Sequence, residues 1–218
     1  MDKTLVVKGI GKLAVSPDTI QLDLHLSEVY EDYEVCMKKS NEKLEGLRNA
    51  LVSANFKKED LKTKHFNINT EYESYHDDNG NWKQVFKGYR YNHDMNLKFD
   101  NDNELLGTVL KAIANSNIPV EFSINHTVKD VEKVKNDLLT KAIEDASDKA
   151  KVLAEAAKVT LEEIINIDYS YKEINIVSQP MSYMKTCEES LDTDSYGMDL
   201  EVEDIDLKDT VTVVWRIS

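Results

Sequence analysis

Hydrophobic and polar residues alternate in several stretches of the chain, and this period of two predicts β-strands. Over residues 20–26 every second residue is Ile or Leu, which is typical of a strand with one buried face. The Ser-Pro-Asp sequence at 16–18 has turn chemistry, so we expect residues 5–15 to pair with this strand as a hairpin. Gly9 and Gly11 in the first strand indicate a bulge or a close approach of two backbones.

The same alternation predicts the remaining strands. Residues 61–73 and 89–99 form two such runs, and the Asn79-Gly80 sequence between them marks a turn. The 89–99 run is the most regular, with apolar or aromatic residues at nearly every odd position. Further strands are predicted near 120–128, 164–177 and 210–217.

Apolar residues recur at steps of three and four in three other stretches, which predicts helices over about 31–55, 103–114 and 130–158. The longest, 130–158, has a stripe of small residues that permits close packing. Strands joined by short turns, together with helices, favour an α+β fold, in which three helices pack on one face of a mainly antiparallel sheet. We expect one domain over residues 1–218.

Acidic residues are concentrated near the C-terminal end. The formal net charge is −14, and residues 186–209 contain ten of the 41 acidic residues and one of the 27 basic residues. Such a surface repels phosphate backbones, so nucleic acid is not an expected partner. The sequence has no 18-residue apolar stretch and no signal-peptide pattern at its N-terminus. It therefore predicts a cytoplasmic protein without a membrane span.

The acidic segment has partial resemblance to a calcium loop. Asp192, Asp194 and Glu203 fall at positions 1, 3 and 12 of the template. However, Tyr196 occupies position 5, where an oxygen ligand is needed, and a strand rather than a helix follows Glu203. We therefore interpret the segment from about residue 186 to residue 209 as a solvated acidic loop before the last strand. The alternative is that it binds divalent cations weakly.

The sequence contains no recognisable catalytic constellation. It has no Gly-x-Ser-x-Gly elbow, and Cys36 and Cys187 match no metal or redox spacing. His93 and His126 lie in apolar strand rows, where hydrogen-bonded core histidines are more common than metal ligands. The Gly-x-Gly strand lacks the third glycine and the helix of a dinucleotide site. We expect no catalytic residues and no cofactor.

An aromatic row is the most informative surface candidate. Trp82, Phe86, Tyr89 and Tyr91 lie in or just before the regular 89–99 strand. Tyr and Trp are enriched at subunit interfaces, so these four residues are interface candidates. A ligand groove is a second interpretation, and packing beneath the helices is a third.

Several motifs in collinear order resemble the SIMPL-domain family. They are VKGIGKLAVSPDTIQLDLHL, DLKTKHFNINTEYE, DDNGNW, GYRYNHDMNLKF, the helix AIEDASDKAKVLAEAAKVTLEEIINI with its Ala-x-x-Asp-Ala-x-x-Lys-Ala pattern, QPMSYMK and the closing DTVTVVWRI. The resemblance implies an α+β fold and homo-oligomers. Many members are exported to the bacterial periplasm or surface, and some are linked to oxidative-stress tolerance. An animal member takes part in signalling through a kinase-associated complex.

This sequence departs from relatives in lacking an export signal and in having an acidic penultimate loop. The family has no recognised catalytic residues. The resemblance therefore implies a non-enzymatic, self-assembling protein with a scaffold or stress-related role through protein–protein contacts. The alternative is a small-molecule-binding protein or an enzyme that uses a pocket between sheet and helices.

Overall fold

The computed structural model describes residues 3–169, 176–178 and 200–218. These residues form seven strands and three helices, arranged in two sheets whose registered strand pairs are antiparallel, so the α+β prediction is confirmed. In chain order the elements are β1 (Thr4–Val15), β2 (Thr19–Tyr30), α1 (Tyr33–Ser53), β3 (Lys62–His76), β4 (Trp82–Asp100), α2 (Asn103–Asn115), β5 (Glu121–Thr127), α3 (Val131–Ala157), β6 (Leu161–Asp168) and β7 (Ile205–Ile217).

All three predicted helices are present, and each begins after an aspartate. The carboxylates of Asp32, Asp102 and Asp130 accept hydrogen bonds from backbone N–H groups in the first helical turn. These bonds satisfy donors that have no partner inside the helix. The longest helix, α3, ends at Ala157, and Lys158 follows in the left-handed conformation with φ 56°. None of the described helices combines the length and apolar composition needed to cross a bilayer.

By their internal contacts, the described residues separate into two compact units. The α3 unit comprises the described residues within 1–18, 127–178 and 202–218. The βαβ unit comprises those within 19–126 and 179–201.

The βαβ unit runs β2-α1-β3-β4-α2-β5, with the sheet order β3-β4-β2-β5. This is the split βαβ arrangement, in which two helices pack on one face of a four-stranded sheet. Its core combines alternate residues of β2 and β4 with the apolar stripes of the helices, including Leu22, Leu24, Leu26, Leu47, Leu51, Leu97 and Leu106.

In the α3 unit, α3 packs against a three-stranded sheet with the order β1-β7-β6. The small-residue stripe of α3, including Ala142 and Ala146, is fully buried against β1 and β7. A Cβ atom added at Gly9 would lie 1.9 Å from the carbonyl oxygen of Ala142, and one at Gly11 would lie 2.1 Å from that of Leu138. The two glycines therefore mark a close backbone approach, and the register of β1 with β7 continues past them without a bulge.

The predicted hairpin of residues 5–15 with 20–26 is wrong. β1 pairs with β7, whereas β2 pairs with β4 in the other sheet. Two-residue hairpin turns favour positive φ angles, but the ring of Pro17 fixes φ near −65°. Asp18 instead bonds to the chain after β5, because its N–H donates to the carbonyl of Thr127 at 3.2 Å and its carboxylate accepts from the N–H of Lys129 at 2.7 Å. The Ser-Pro-Asp sequence thus redirects the chain from one sheet to the other.

The last two strands differ from their predicted limits. β6 covers Leu161–Asp168, so it begins before the predicted 164–177, and residues 170–175 of that prediction lie outside the described residues. β7 begins at Ile205 rather than near residue 210. Ile205 and Leu207 are buried opposite Val15 and Leu13, while Asp206 and Lys208 are exposed between them. Residues 205–209 therefore belong to a strand and not to the predicted solvated loop, with Asp206 on the exposed face and Asp209 buried.

Candidate functional site

The hairpin of β3 and β4 extends beyond the sheet as a two-stranded arm, which we define as residues 71–88. β2 pairs with β4 only from Asp100 to Tyr89. Beyond Tyr89, the described residues of β4 pair with β3 alone, from Glu71 opposite Gly88 to His76 opposite Trp82. Among the described residues, one edge of β4 is consequently without a strand partner along the arm.

The tip of the arm is a compact turn over residues 77–81, as the Asn-Gly sequence predicts. The N–H of Asp77 donates to the carbonyl of Asn81 at 2.9 Å. The Asp77 carboxylate accepts from the backbone N–H groups of Asn79 at 3.0 Å and Asn81 at 2.8 Å. Gly80 has φ 77°, a conformation that glycine adopts without steric penalty. Several bonds therefore stabilise the register of the arm.

One face of the arm is aromatic and exposed. Trp82 is 63 % exposed, Tyr72 53 % and Phe86 44 %. The ring centroids of Tyr72 and Phe86 lie 5.6 Å apart in an edge-to-face contact, and the rings of His76 and Trp82 make a similar contact at 4.8 Å. We call this surface, Tyr72, His76, Trp82 and Phe86, the aromatic face.

The aromatic face continues onto the body of the βαβ unit. The register shift between Glu71 and Tyr72 places an extra residue in β4, so Phe86 and Tyr89 lie on one side although they are three positions apart. Their ring centroids are 5.4 Å apart, and Tyr89 also contacts Tyr33 of α1 at 5.4 Å. Edge-to-face contacts of this kind favour one fixed arrangement of the rings.

The four interface candidates are divided between this surface and the core. Trp82 and Phe86 are exposed and Tyr89 is half-buried, whereas Tyr91 is 1 % exposed. Tyr91 stacks on Tyr30 with a centroid distance of 6.5 Å, and burial raises its pKa to about 12. Tyr91 therefore packs in the core, as the third interpretation predicts. A role of the other three in an interface stays a prediction.

A charged cluster lies where the arm meets the body. The Tyr30 hydroxyl and the Lys43 ammonium both donate to the carboxylate of Glu28. The pKa of Tyr30 is raised, mainly by burial and secondly by the hydrogen bond to this carboxylate. For Glu28 burial opposes ionisation, but the bonds from Lys43 and Tyr30 outweigh it and lower the pKa of the carboxyl. The cluster therefore joins the end of β2 to α1 at the point where the pairing of β2 with β4 ends.

A second candidate is a pocket of about 440 Å³ on the polar side of the same sheet. Asp23, His25, Lys64 and Asp94 all line it. Asp23 and His25 alternate along β2 with core leucines, so the pocket lies on the face opposite the helices. The alternative function predicted from the sequence places a pocket between sheet and helices. This pocket lies on the other face of the sheet.

The polar groups of this pocket form two bonded sets. His25 Nδ1 lies 2.6 Å from Asp94 Oδ1. Asp23 accepts from Lys64 and, at 2.8 Å, from the Asn125 side chain. Burial would raise the pKa of Asp23, but these bonds and one from Gln21 lower it. No described hydrogen bond joins His25 to a hydroxyl or thiol group, so the geometry offers ligand contacts rather than an activated nucleophile.

The two histidines considered as metal ligands lie on β4 and β5, with β2 between them. Strands two positions apart are separated by roughly 10 Å. His93 Nε2 instead lies 2.8 Å from the Thr63 hydroxyl, and burial lowers the pKa of both His93 and His126. Within the described ranges, no three His, Cys, Asp or Glu side chains form a metal-binding group.

The calcium-loop candidates are only partly described. Asp192 and Asp194 lie outside the described residues, while Glu203 is exposed just before β7. Their interpretation as a solvated loop or a weak cation site therefore stays a prediction.

Sequence reasoning missed a second exposed apolar surface, which lies on β6. Ile164, Ile165 and Ile167 are each 45–46 % exposed. The sequence signal was the run Ile-Ile-Asn-Ile directly after two glutamates. The run predicted a strand, but it did not show that the strand would lie at the edge of a sheet.

The comparisons with known proteins identify the family without identifying a function. No curated protein matches the chain. The SIMPL model, described as a protein of unknown function (DUF541), matches residues 5–215. The match covers every strand and helix of both units apart from the outermost residues of β1 and β7. The chain therefore belongs to the SIMPL family, proteins of unknown function.

Proposed function

We propose that this protein is a non-enzymatic, self-assembling protein whose copies associate through the aromatic face of the arm. The observation that carries the proposal is the exposure of Tyr72, Trp82 and Phe86 on a hairpin that extends beyond its sheet. Contiguous exposed apolar surface marks interaction sites on soluble proteins. Aromatic residues are also the residue class most enriched at interfaces.

The shape of the arm supports the same conclusion. A two-stranded hairpin without a covering layer is marginally stable in water. Docking of its aromatic face against another copy would remove apolar surface from water, at about 1.5–3 kcal/mol for each fully buried large side chain. Because the rings of Trp82 and Phe86 already contact neighbouring rings, little side-chain entropy would be lost on docking.

The proposed biological role is scaffold-like or stress-related, carried out through protein–protein contacts. The homo-oligomers implied by the family resemblance agree with an assembly of this kind. A cytoplasmic location stays a prediction of the sequence.

A double substitution tests the role of the aromatic face. Trp82→Ser with Phe86→Ser removes two exposed rings that contribute little to the core. We expect association to weaken by at least about 30-fold, which corresponds to about 2 kcal/mol. The measurement is sedimentation velocity over a range of protein concentrations, with circular dichroism to confirm folding.

Phe122→Ser provides the matched control, because Phe122 on β5 is 46 % exposed but lies outside the arm. It should assemble as the wild type does. Equal association of the double variant and the wild type would contradict the assignment of the aromatic face.

A second candidate function, binding of a small polar molecule, rests on the pocket beside Asp23, His25 and Asp94. Bonded carboxylate, imidazole and ammonium groups suit a ligand with both donors and acceptors. A thermal-shift screen of amines, polyols and amino acids tests it. A hit that disappears in Asp23→Asn would favour this candidate, whereas binding that persists in the variant would exclude the pocket as its site.

A further inference from the structure

An open edge of a sheet is a surface that can receive the arm of another copy. β6 is an edge strand of the α3 unit and pairs with β7 on one side. On its other side, the backbone groups of residues 161–168 have no strand partner among the described residues. Three of its isoleucines are also exposed. An apolar edge strand with open backbone groups is a template for pairing with another chain.

The charges of β6 disfavour one simple contact, its antiparallel pairing with a second β6 centred on Ile165. The strand contains Glu162, Glu163 and Asp168 and no basic residue. Antiparallel pairing of two β6 strands about Ile165 would place Glu162 of each copy opposite Asp168 of the other. Like charges directly opposite each other destabilise a strand pair, so the complementary strand should be basic.

The open edge of β4 along the arm has the required charge. Residues 82–87, with the sequence WKQVFK, contain Lys83 and Lys87 and no acidic residue. Both lysines form ion pairs within the arm, Lys83 with Asp77 at 3.0 Å and Lys87 with Glu73 at 2.5 Å. The Lys83 and Lys87 side chains are 54 % and 50 % exposed. Ion pairs of exposed lysines contribute little stability, so either lysine can exchange its partner.

A second basic edge, on β1, is partly occupied by side chains of α3. The Asp145 carboxylate accepts from the N–H of Ile10 at 2.7 Å, and the Lys149 ammonium approaches the carbonyl of Lys8 at 3.5 Å. These side chains occupy the outward backbone groups that a further strand would need. The arm is therefore the better complement for β6.

We propose that residues 82–87 of one copy add as a strand to β6 of a second copy, so that Lys83 and Lys87 face the acidic side chains of β6. This inference rests on the proposed self-assembly and specifies its geometry. Six paired residues span roughly 20 Å, which the eight residues of β6 accommodate. The backbone bonds contribute affinity, and Trp82, Phe86 and the isoleucines supply the apolar contact.

The proposed contact joins two different surfaces, so each copy offers one arm and one β6 edge. Such contacts close as a twofold dimer when two copies exchange arms reciprocally, and otherwise they form larger rings or open filaments. Because the two surfaces differ, two complementary variants test the contact.

The first variant, Lys83→Glu with Lys87→Glu, gives the arm the charge of β6. The second, Glu162→Lys with Asp168→Lys, gives β6 the charge of the arm. Each variant alone would bring like charges together at every contact, whereas an equimolar mixture would pair opposite charges at every contact. Lys111→Glu with Lys133→Glu is the matched control, because both lysines are exposed and lie outside the two strands.

Masses measured by light scattering at a fixed protein concentration distinguish the outcomes. The proposal expects a multimeric wild type and control, at least tenfold weaker association of each variant alone, and multimers restored on mixing. If both variants assemble as the wild type does, or if mixing restores nothing, the pairing of arm and β6 is wrong while self-assembly stands. A monomeric wild type would overturn self-assembly and this pairing together. Circular dichroism of each variant verifies that it is folded.

Discussion

Substitution of Gly9 by alanine should destabilise the α3 unit strongly. The added Cβ would lie 1.9 Å from the Ala142 carbonyl oxygen and 2.7 Å from the Ala146 Cβ. Both atoms belong to α3, and the nearer one is backbone that cannot rotate away. Relief of the clash requires α3 to move from the sheet by more than an ångström, which would loosen the buried stripe and lengthen the 2.7 Å bond between Ile10 and Asp145.

The magnitude follows from two opposing effects. Overpacking a close-packed interior costs about 1–3 kcal/mol, and occasionally more. Contact with backbone places Gly9→Ala at the upper end of that range. Replacing glycine also restricts the unfolded chain, which stabilises by about 0.4–1 kcal/mol. We therefore expect a net loss of about 2 kcal/mol in the free energy of unfolding.

Urea denaturation followed by tryptophan fluorescence measures this effect. The chain has two tryptophans, and Trp215 is buried in the α3 unit beside α3. In a Trp82→Phe background, the signal therefore reports on the unit that the substitution perturbs. A lower midpoint with an unchanged slope would indicate a loss of stability.

Gly46→Ala is the internal control. Its added Cβ would lie 2.8 Å from Ile118 Cδ1, the far end of a flexible side chain, and alanine favours the interior of α1 by up to about 1 kcal/mol. This variant should be neutral or more stable. If Gly9→Ala unfolds at the same urea concentration as the wild type, the close approach of α3 to β1 is wrong.

Three further predictions follow from named contacts. Burial lowers the pKa of His93 and His126 below the usual 6.5, so the unfolded chain binds more protons than the folded chain. The free energy of unfolding should therefore fall as pH drops below about 6.5, which denaturation at several pH values measures. If the free energy of unfolding of His126→Gln depends on pH as steeply as that of the wild type, His126 does not contribute. Asp145→Ala removes the acceptor for the Ile10 N–H and should lower the urea midpoint reported by Trp215, whereas an unchanged midpoint would show that water replaces the carboxylate. In Gly88→Ala the residue would have φ 132° and its Cβ would lie only 2.1 Å from the Tyr30 carbonyl oxygen. We expect this strain to speed amide hydrogen exchange along the arm. Exchange as slow as in the wild type would show that the substitution causes no strain.

The local elements could be predicted from the sequence because their signals are local. The helical stripes and the Asn-Gly turn each depend on residues within a few positions of one another. The alternation of β4 predicted which residues are buried, and Tyr91, Met95 and Leu97 are indeed in the core. The two glycines indicated a bulge or a close backbone approach, and the structure shows the close approach without a bulge.

The pairing of strands could not be predicted in the same way. Alternation shows that β1 has a buried face, but it does not show that its partner is β7, at the opposite end of the chain. Nearness in sequence favours β2 instead, whereas the fixed φ of Pro17 disfavours a tight hairpin.

The exposure of the candidate surfaces could not be predicted for a related reason. The aromatic residues of β4 follow similar alternation within the sheet and along the arm. Burial changes between Trp82 and Tyr91 because β2 ends at Tyr30, where Asp32 begins α1. The exposure of the β6 isoleucines likewise depends on the position of that strand in the sheet.

Self-assembly is the central claim, and the mass of the wild-type protein in solution tests it most directly. Size-exclusion chromatography with light scattering, at two protein concentrations at least tenfold apart, gives that mass without a label or a partner. The proposal predicts a discrete multiple of the 24.9 kDa chain that persists on dilution. A mass of one chain at both concentrations would contradict it.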